Sequence, residues 1–262
     1  MARNTLRVPA VNPTEELIQL AIDLDLTTLA QSLPTLLESA EKDSPSFTDF
    51  GLKMFRAEVI ARKTRRLERS LKRSRLGVVE GLEGFDFAAR PKLDPRVVKE
   101  LLACRFVTKH RNILCLDRAG LGKTRLDKAI AHAACLADYS VLYVLAADMI
   151  EELHASHADG TFKRAFRRYV KPALLLVDEF GYQPFTSEAT NYLFRIVSAR
   201  HRQGSIVLTA NTGFSKWGSL FPSEATAVAT VDRLVDNATI LRFTGKSFRQ
   251  PRDIVGAPLE DD

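Results

Sequence analysis

Three short stretches hold residue types that could together handle a triphosphate. The first is Gly120-Leu121-Gly122-Lys123-Thr124, which closes the segment CLDRAGLGKT. Glycines there let successive backbone N–H groups converge on a phosphate, the lysine would neutralise its outer oxygens, and the threonine hydroxyl would ligate Mg2+. The second is LLLVDEF, residues 174–180, an apolar run ending in two acids. At a strand's carboxyl end Asp178 could reach the metal shell, while Glu179 could polarise an attacking water as general base. The third is IVLTANT, residues 206–212, where Thr209 or Asn211 could hydrogen-bond a γ-phosphate or the water. An Asn after a strand also serves as a plain turn residue. The chemistry this set points to is hydrolysis of a nucleoside triphosphate with Mg2+ as cofactor.

Each stretch needs a strand to aim it. Residues 112–116, 140–146, 173–177, 205–209 and 239–243 are short apolar runs that predict five strands. Helical periodicity fills the intervals at 123–137, around 149–154, at 187–202 and at 225–236. Strands alternating with helices predict an α/β fold, a parallel sheet flanked by helices. Ahead of it, apolar groups at 17–21 and 29–37 suit small helices broken by Pro13, Pro34 and Pro45. One longer helix is predicted over 47–76, with Phe50, Met54, Ile60, Leu67 and Leu71 as its apolar contacts. The expected organisation is a small all-helical N-terminal domain over 1–76, a Gly- and Pro-rich linker over 77–95, an ATPase domain over 96–250 and a flexible tail over 251–262.

With 262 residues, 45% of them hydrophobic, the chain can bury a substantial core. Apolar runs stay well short of the roughly 18 to 20 residues that cross a bilayer, and the first residues lack a secretory apolar stretch. A cytoplasmic protein with no membrane partner is expected. Three scattered cysteines, Cys104, Cys115 and Cys135, argue against a disulfide framework or zinc site and are read as core residues.

The net charge of +6 is concentrated: between Lys53 and Arg75 ten cations face two acids, which leaves the rest of the chain slightly acidic. A second basic stretch, TFKRAFRRYVK at 161–171, interleaves cations with Phe162, Phe166 and Tyr169, which at this spacing are expected to pack inward. Arg62, Arg65, Arg66 and Arg69 on the first stretch, with Lys163, Arg164, Arg167 and Arg168 on the second, are candidate contacts to double-stranded DNA. Such contacts go to phosphates, ignore sequence and weaken with salt. The first stretch also suits a solvated helix face or a protein-binding surface.

The ordered set GLGKTRL (120–126), YSVLYVLAADMIEEL (139–153), LLLVDEFGYQPF (174–185), LFRIVSARHRQGSIVLTANTGFSKWGSLF (193–221) and VDRLVDNATILRFTGKSFR (231–249) resembles AAA+ ATPases. More narrowly, over roughly residues 50–249, it resembles the IstB-like family, transposition helper ATPases of insertion sequences that are similar to DnaC-type helicase loaders. The resemblance implies a P-loop AAA+ domain and a homo-oligomer that assembles on target DNA and delivers it to a partner transposase. By position it gives Lys123 and Thr124 the phosphate and metal roles, and Asp178 and Glu179 the metal and water roles. It also makes Asn211 the first sensor, Arg233 an arginine finger reaching a neighbouring subunit's nucleotide, and Arg249 the second sensor. It implies too that the 161–171 stretch lines a DNA-facing channel. A replicative helicase loader, docking through its N-terminal helices, and a DNA-binding scaffold that does not hydrolyse nucleotide are the competing readings.

One departure bears on that choice. Asp117 stands where the phosphate-loop pattern, and the family's Gly-Pro-Pro-Gly-x-Gly-Lys-Thr, begins with glycine. A positive φ there would cost a non-glycine residue about 1 kcal/mol. A carboxylate about 5 Å from a phosphate charge would oppose binding by roughly 3 kcal/mol at an effective dielectric near 20. Nucleotide binding is therefore expected to be weakened and hydrolysis impaired. Asp138, where glycine would better end a helix, and Asp127, tolerable near a helix's positive end, complete a cluster of acids that suggests a weakened copy of an active ancestor.

Overall fold

The computed structural model describes residues 12–245 and Ser247. The chain divides into two compact units, Met1–Glu68 and Arg69–Asp262. The first carries α1 (Pro13–Asp23), α2 (Thr27–Asp43) and most of α3 (Phe47–Ser74). Asn12 caps α1 by accepting the Thr14 N–H, with Pro13 in the first turn, where no N–H is needed. Ala21, Leu29, Ala30 and Leu33 form a small core against which Met54 packs.

The start of α2 has no capping side chain of its own. Glu58 of α3, 2% exposed, supplies the cap from a distance, accepting the Thr28 and Leu29 N–H groups at 2.9 and 3.0 Å. Its other oxygen accepts Arg62 Nε at 2.9 Å and Arg65 Nη2 at 3.1 Å. Burial raises the Glu58 pKa, but the Leu29 N–H, the Arg62 guanidinium and the Thr28 N–H outweigh it, so the carboxyl titrates below its usual value.

Two expectations fail in this unit. Pro34 does not break a helix; it lies inside α2. An internal proline costs about 3 kcal/mol, and burial of Leu29, Ala30 and Leu33 on the same helix offsets it. Ile60 is 65% exposed rather than an apolar contact, because it lies two positions, about 200° around the helix, from the buried Glu58.

In the second unit five parallel strands form one sheet in the order β2-β3-β4-β1-β5. They are β1 (Asn112–Leu116), β2 (Val141–Leu145), β3 (Leu174–Phe180), β4 (Ser205–Ala210) and β5 (Ala238–Arg242). Every residue of β1 and β4 is buried, as continuous apolar runs require when helices cover both faces. The flanking helices are α4 (Pro95–Leu102), α5 (Arg105–Thr108), α6 (Lys123–Leu136), α7 (Ala146–Ala158), α8 (Phe162–Val170), α9 (Ser187–Arg200) and α10 (Glu224–Val235), with a 3-10 turn at Phe214–Leu220.

All five strands fall where the sequence predicts them. α4 was hidden at the end of the predicted linker, although Asp94 caps it and Pro95 opens it. Asp138 takes the left-handed position that ends α6, with φ 65°. The three cysteines are buried and free. No described helix is long and apolar enough to cross a membrane.

Arg200, 1% exposed, ties the end of α8 to the starts of β3 and β4. Its guanidinium donates to the carbonyls of Tyr169, Val170, Pro172, Ala173 and Ser205 at 2.7 to 3.3 Å. Gly204 leaves the room: a Cβ there would stand 2.9 Å from Arg200 Nη2.

Candidate functional site

At the carboxyl end of β1 the chain turns through residues 117–122 into α6, which starts at Lys123. Gly120 and Gly122 hold φ of 78° and 86°, the left-handed geometry that points consecutive N–H groups into a cradle. Space is tight at 122 as well, since a Cβ there would lie 3.0 Å from the Phe85 ring. Leu121 is buried, and its carbonyl accepts Arg90 Nε at 2.9 Å. The segment predicted as a mere linker therefore folds over the loop.

Lys123 is 6% exposed, and its ammonium donates to the Asp117 and Arg118 carbonyls, both at 2.6 Å. Burial lowers its pKa, against the opposing pull of Cys115, Asp127, Asp117 and Asp178.

Asp178, 3% exposed at the end of β3, joins the three stretches. Its Oδ1 accepts Thr124 Oγ1 at 3.2 Å and the hydroxyl of Thr209 from β4; its Oδ2 accepts the Tyr143 hydroxyl of β2 at 3.1 Å. Burial and the neighbouring Asp178 raise the Tyr143 pKa, so this phenol stays a donor.

Glu179 makes an irregularity within β3. It adopts φ 57° at a register shift between Val177 and Phe180, and its N–H donates to Thr209 Oγ1 at 2.9 Å and Asp178 Oδ1 at 3.1 Å. A non-glycine residue held in this conformation stores strain of the kind that clusters at functional sites. The consequence is that Glu179 is exposed between buried neighbours.

Lys123, Thr124, Asp178, Glu179, Thr209 and Asn211 all line one cavity of about 740 Å3, with Phe85 on its wall. Asp178 and Thr124 offer hard oxygen donors to one point, a set that fits Mg2+ completed by phosphate oxygens and water. Among the described residues no cluster of three or more His, Cys, Asp or Glu side chains could hold a metal alone.

The acids of the loop region sit differently from expectation. Asp117 does adopt positive φ, 99°. Its carboxylate, however, is not among the groups lining the cavity. It accepts Arg242 Nε at 2.8 Å, Arg242 Nη2 at 3.0 Å and the Phe243 N–H at 3.1 Å. Asp127, read as tolerable near the positive end of a helix, is fully buried in the first turns of α6, its Oδ1 accepting the Cys115 thiol at 2.9 Å. Burial pushes its pKa well above the usual carboxylate value, and burial and Asp127 push Cys115 up likewise.

Arg233, the predicted arginine finger, lies outside the cavity. Arg233 donates to the Ala229 carbonyl at 2.8 Å and stacks 4.9 Å over Phe194. Arg249 and residues 251–262 fall outside the described residues.

On α8, Lys163, Arg164 and Arg167 are exposed, while Arg168 pairs with Glu152 at 2.7 Å. Tyr169 is buried, and Phe162 and Phe166 pack against the core beneath Arg195, as their spacing predicted. With Arg73 and Lys171 these cations line a second cleft of about 810 Å3 at the start of β2, the opposite end of the parallel sheet from the 117–122 loop. On α3, Arg62 and Arg65 are engaged by Glu58, the Asp25 carbonyl and the Thr27 hydroxyl; Arg66 and Arg69 are exposed.

Tyr143, Phe85, Arg90 and Arg242 are site residues that motif reading missed. Only their strand or linker positions could have signalled them.

Comparison with known proteins accords with this geometry. The chain is 33% identical over 234 residues to the ATP-binding protein assigned to insertion sequence IS21 of Pseudomonas aeruginosa, covering 89% of this chain and 88% of that one. It is 30% identical over 226 residues to the corresponding protein assigned to IS5376 of Geobacillus stearothermophilus, covering 86% and 90%. Among solved structures, a DNA replication initiation factor superposes with TM-score 0.53 at 22% identity, over 62% of this chain and 49% of that one. The DnaC helicase loader superposes with TM-score 0.51 at 13% identity, over 67% and 99%. These two likenesses concern the fold alone, a parallel sheet flanked by helices. The matched region of the family of IstB-like ATP binding proteins runs over residues 19–254, and the chain belongs to that family.

Proposed function

We propose that the protein is an ATP-hydrolysing helper of an insertion sequence, which assembles as a homo-oligomer on double-stranded DNA and recruits or activates the partner transposase. The observation that carries the reading is the convergence of Lys123, Thr124, Asp178 and Glu179 on one cavity. In it the N–H groups of residues 120–124 cradle the phosphates, and Lys123 neutralises the outer oxygens. Thr124 and Asp178 would hold Mg2+, which when bound would supply positive charge against that of the phosphates. Glu179 orients and polarises the attacking water, with Asn211 beside the γ-phosphate. Arg233 and Arg249 act as arginine finger and second sensor, the former across a subunit boundary.

Asp117 argues less against this site than its sequence position does, because Arg242 already neutralises its carboxylate. That favours a working ATPase over a nucleotide-free scaffold. The insertion-sequence relatives favour a transposase over a replicative helicase as partner.

DNA contact is assigned to Lys163, Arg164, Arg167 and Arg168 in the basic cleft, with Arg66 and Arg69 of α3 in support and Arg62 and Arg65 contributing charge. The test is duplex binding and particle size with and without ATP and Mg2+, across salt concentrations. ATP-dependent growth in size and affinity on DNA is expected. Replacing Lys163, Arg164 and Arg167 with alanine should lower the slope of log K against log salt by roughly 2 to 3. Binding that ignores both nucleotide and these cations would overturn the assignment.

A further inference from the structure

The Asp117 side chain and backbone have separate partners. Its carbonyl accepts the Lys123 ammonium, a task glycine could also perform. Its carboxylate is directed at β5, where three N–H donors meet it: two from the Arg242 guanidinium, side-on, and one from Phe243.

Strand register makes the meeting unavoidable. β1 and β5 run parallel with Leu116 opposite Arg242, and the Phe243 N–H extends that ladder to the Leu116 carbonyl at 3.2 Å. The residue after β1 thus arrives beside the residues that end β5. Pairing with Asp117 raises the Arg242 pKa further, so the guanidinium keeps its charge at every working pH. Arg242 is half exposed and the Asp117 side chain 18% exposed, so the acid rather than the base is the sheltered partner.

We propose that Arg242 is a positioning residue of the nucleotide site: it holds and neutralises the acid built into the phosphate-binding loop, and so keeps that loop able to accept a polyphosphate. The proposal rests on the nucleotide reading above. Without the guanidinium, the carboxylate keeps one neutral N–H donor and is free to turn toward the cradle. An uncompensated unit charge about 6 Å from a phosphate, at an effective dielectric near 20, weakens binding on the order of tenfold to a hundredfold. The loss should grow with the number of phosphate charges, and removing the acid should reverse it.

The experiment is equilibrium binding of a fluorescent ATP analogue and its ADP counterpart to full-length wild type, Arg242→Ala, Arg242→Lys, Asp117→Asn/Arg242→Ala and Lys123→Ala. Thermal melts report whether each variant is folded, and Arg242→Gln replaces Arg242→Ala should the latter not fold. Arg242→Ala should bind the triphosphate roughly tenfold to a hundredfold more weakly, with a smaller loss for the diphosphate and an intermediate one for Arg242→Lys. The double variant should return to within about threefold of wild type. Unchanged affinity in Arg242→Ala overturns the proposal, as does a double variant no better than the single one, which would mean that Arg242 acts on the nucleotide or the fold directly. Wild-type binding that Lys123→Ala abolishes but Arg242→Ala ignores sinks the positioning role alone. No Lys123-dependent binding in wild type sinks the nucleotide reading and the proposal together.

Discussion

Replacing Thr209 with valine keeps the side chain's shape and deletes one hydroxyl from a position 2% exposed. That hydroxyl donates to Asp178 and accepts the Glu179 N–H, which makes it the bridge between the buried carboxylate and the strained residue beside it. A hydrogen bond to a charged group contributes about 1.5 to 3 kcal/mol. Asp178 would keep its bonds from Thr124 and Tyr143, and the Glu179 N–H would keep Asp178 at 3.1 Å, so the lower end of that range applies. If the water-orienting geometry bears that loss, kcat for ATP hydrolysis should fall roughly 10- to 30-fold, at about 1.4 kcal/mol per decade. The contacts expected to hold the phosphates are untouched, so KM should move less than about threefold. The same loss should lower the melting temperature by roughly 3 to 8 °C. Steady-state hydrolysis with Mg2+ and a thermal melt measure both. A variant with wild-type kcat, or one whose defect lies wholly in KM, would refute the bridging role.

Three further perturbations test the supports of the site and of the helical unit. Arg200→Met strips charged donors from five carbonyls and should cost about 3 kcal/mol, or roughly 6 to 12 °C in melting temperature; a change under 2 °C in a melt would contradict the clamp. Asp127 has a folded pKa above its unfolded one, so its contribution is most favourable below about pH 4 and declines as pH rises toward the folded value. Asp127→Ala should therefore stabilise the protein more at pH 8 than at pH 5, and a gain independent of pH would count against a buried acid. Glu58 has the opposite sign: its depressed pKa makes its stabilisation present at neutral pH and lost as pH falls through the folded value. Glu58→Gln should expose the N-terminal helices to proteolysis at pH 7 with little added effect near pH 3; equal protection of both proteins at pH 7 would remove the distant cap.

Much of this architecture was legible because both faces of the sheet are covered. Residues such as Ile113, Leu114, Val207 and Leu208 form unbroken apolar runs, and the Gly-Lys-Thr sits at a strand-to-helix junction where a phosphate loop belongs. The cations of α8 and the inward-facing Phe162, Phe166 and Tyr169 were readable from helical spacing alone.

What stayed hidden depends on contacts distant in sequence. Arg242 lies 125 positions from Asp117 and meets it only through the β1–β5 register. The burial of Asp127 was hidden because an acid near a helix start usually faces solvent, whereas this one shares a buried face with Ile130, Ala131 and Ala134. The left-handed turn at Glu179 has no local signature, since glutamate is no turn former; the hydroxyl of Thr209, 30 positions on, helps to hold it. Arg62 and Arg65 read as free charge in a basic run, yet the buried Glu58 organises them.

Calorimetric titration of ATP with Mg2+ into wild-type protein, Lys123→Ala and Asp178→Asn tests most directly whether one cavity grips a metal–triphosphate. Saturable binding in wild type is predicted, with at least about a tenfold loss in Lys123→Ala and the Mg2+ dependence abolished in Asp178→Asn. Three indistinguishable titrations, or none showing binding, would contradict it.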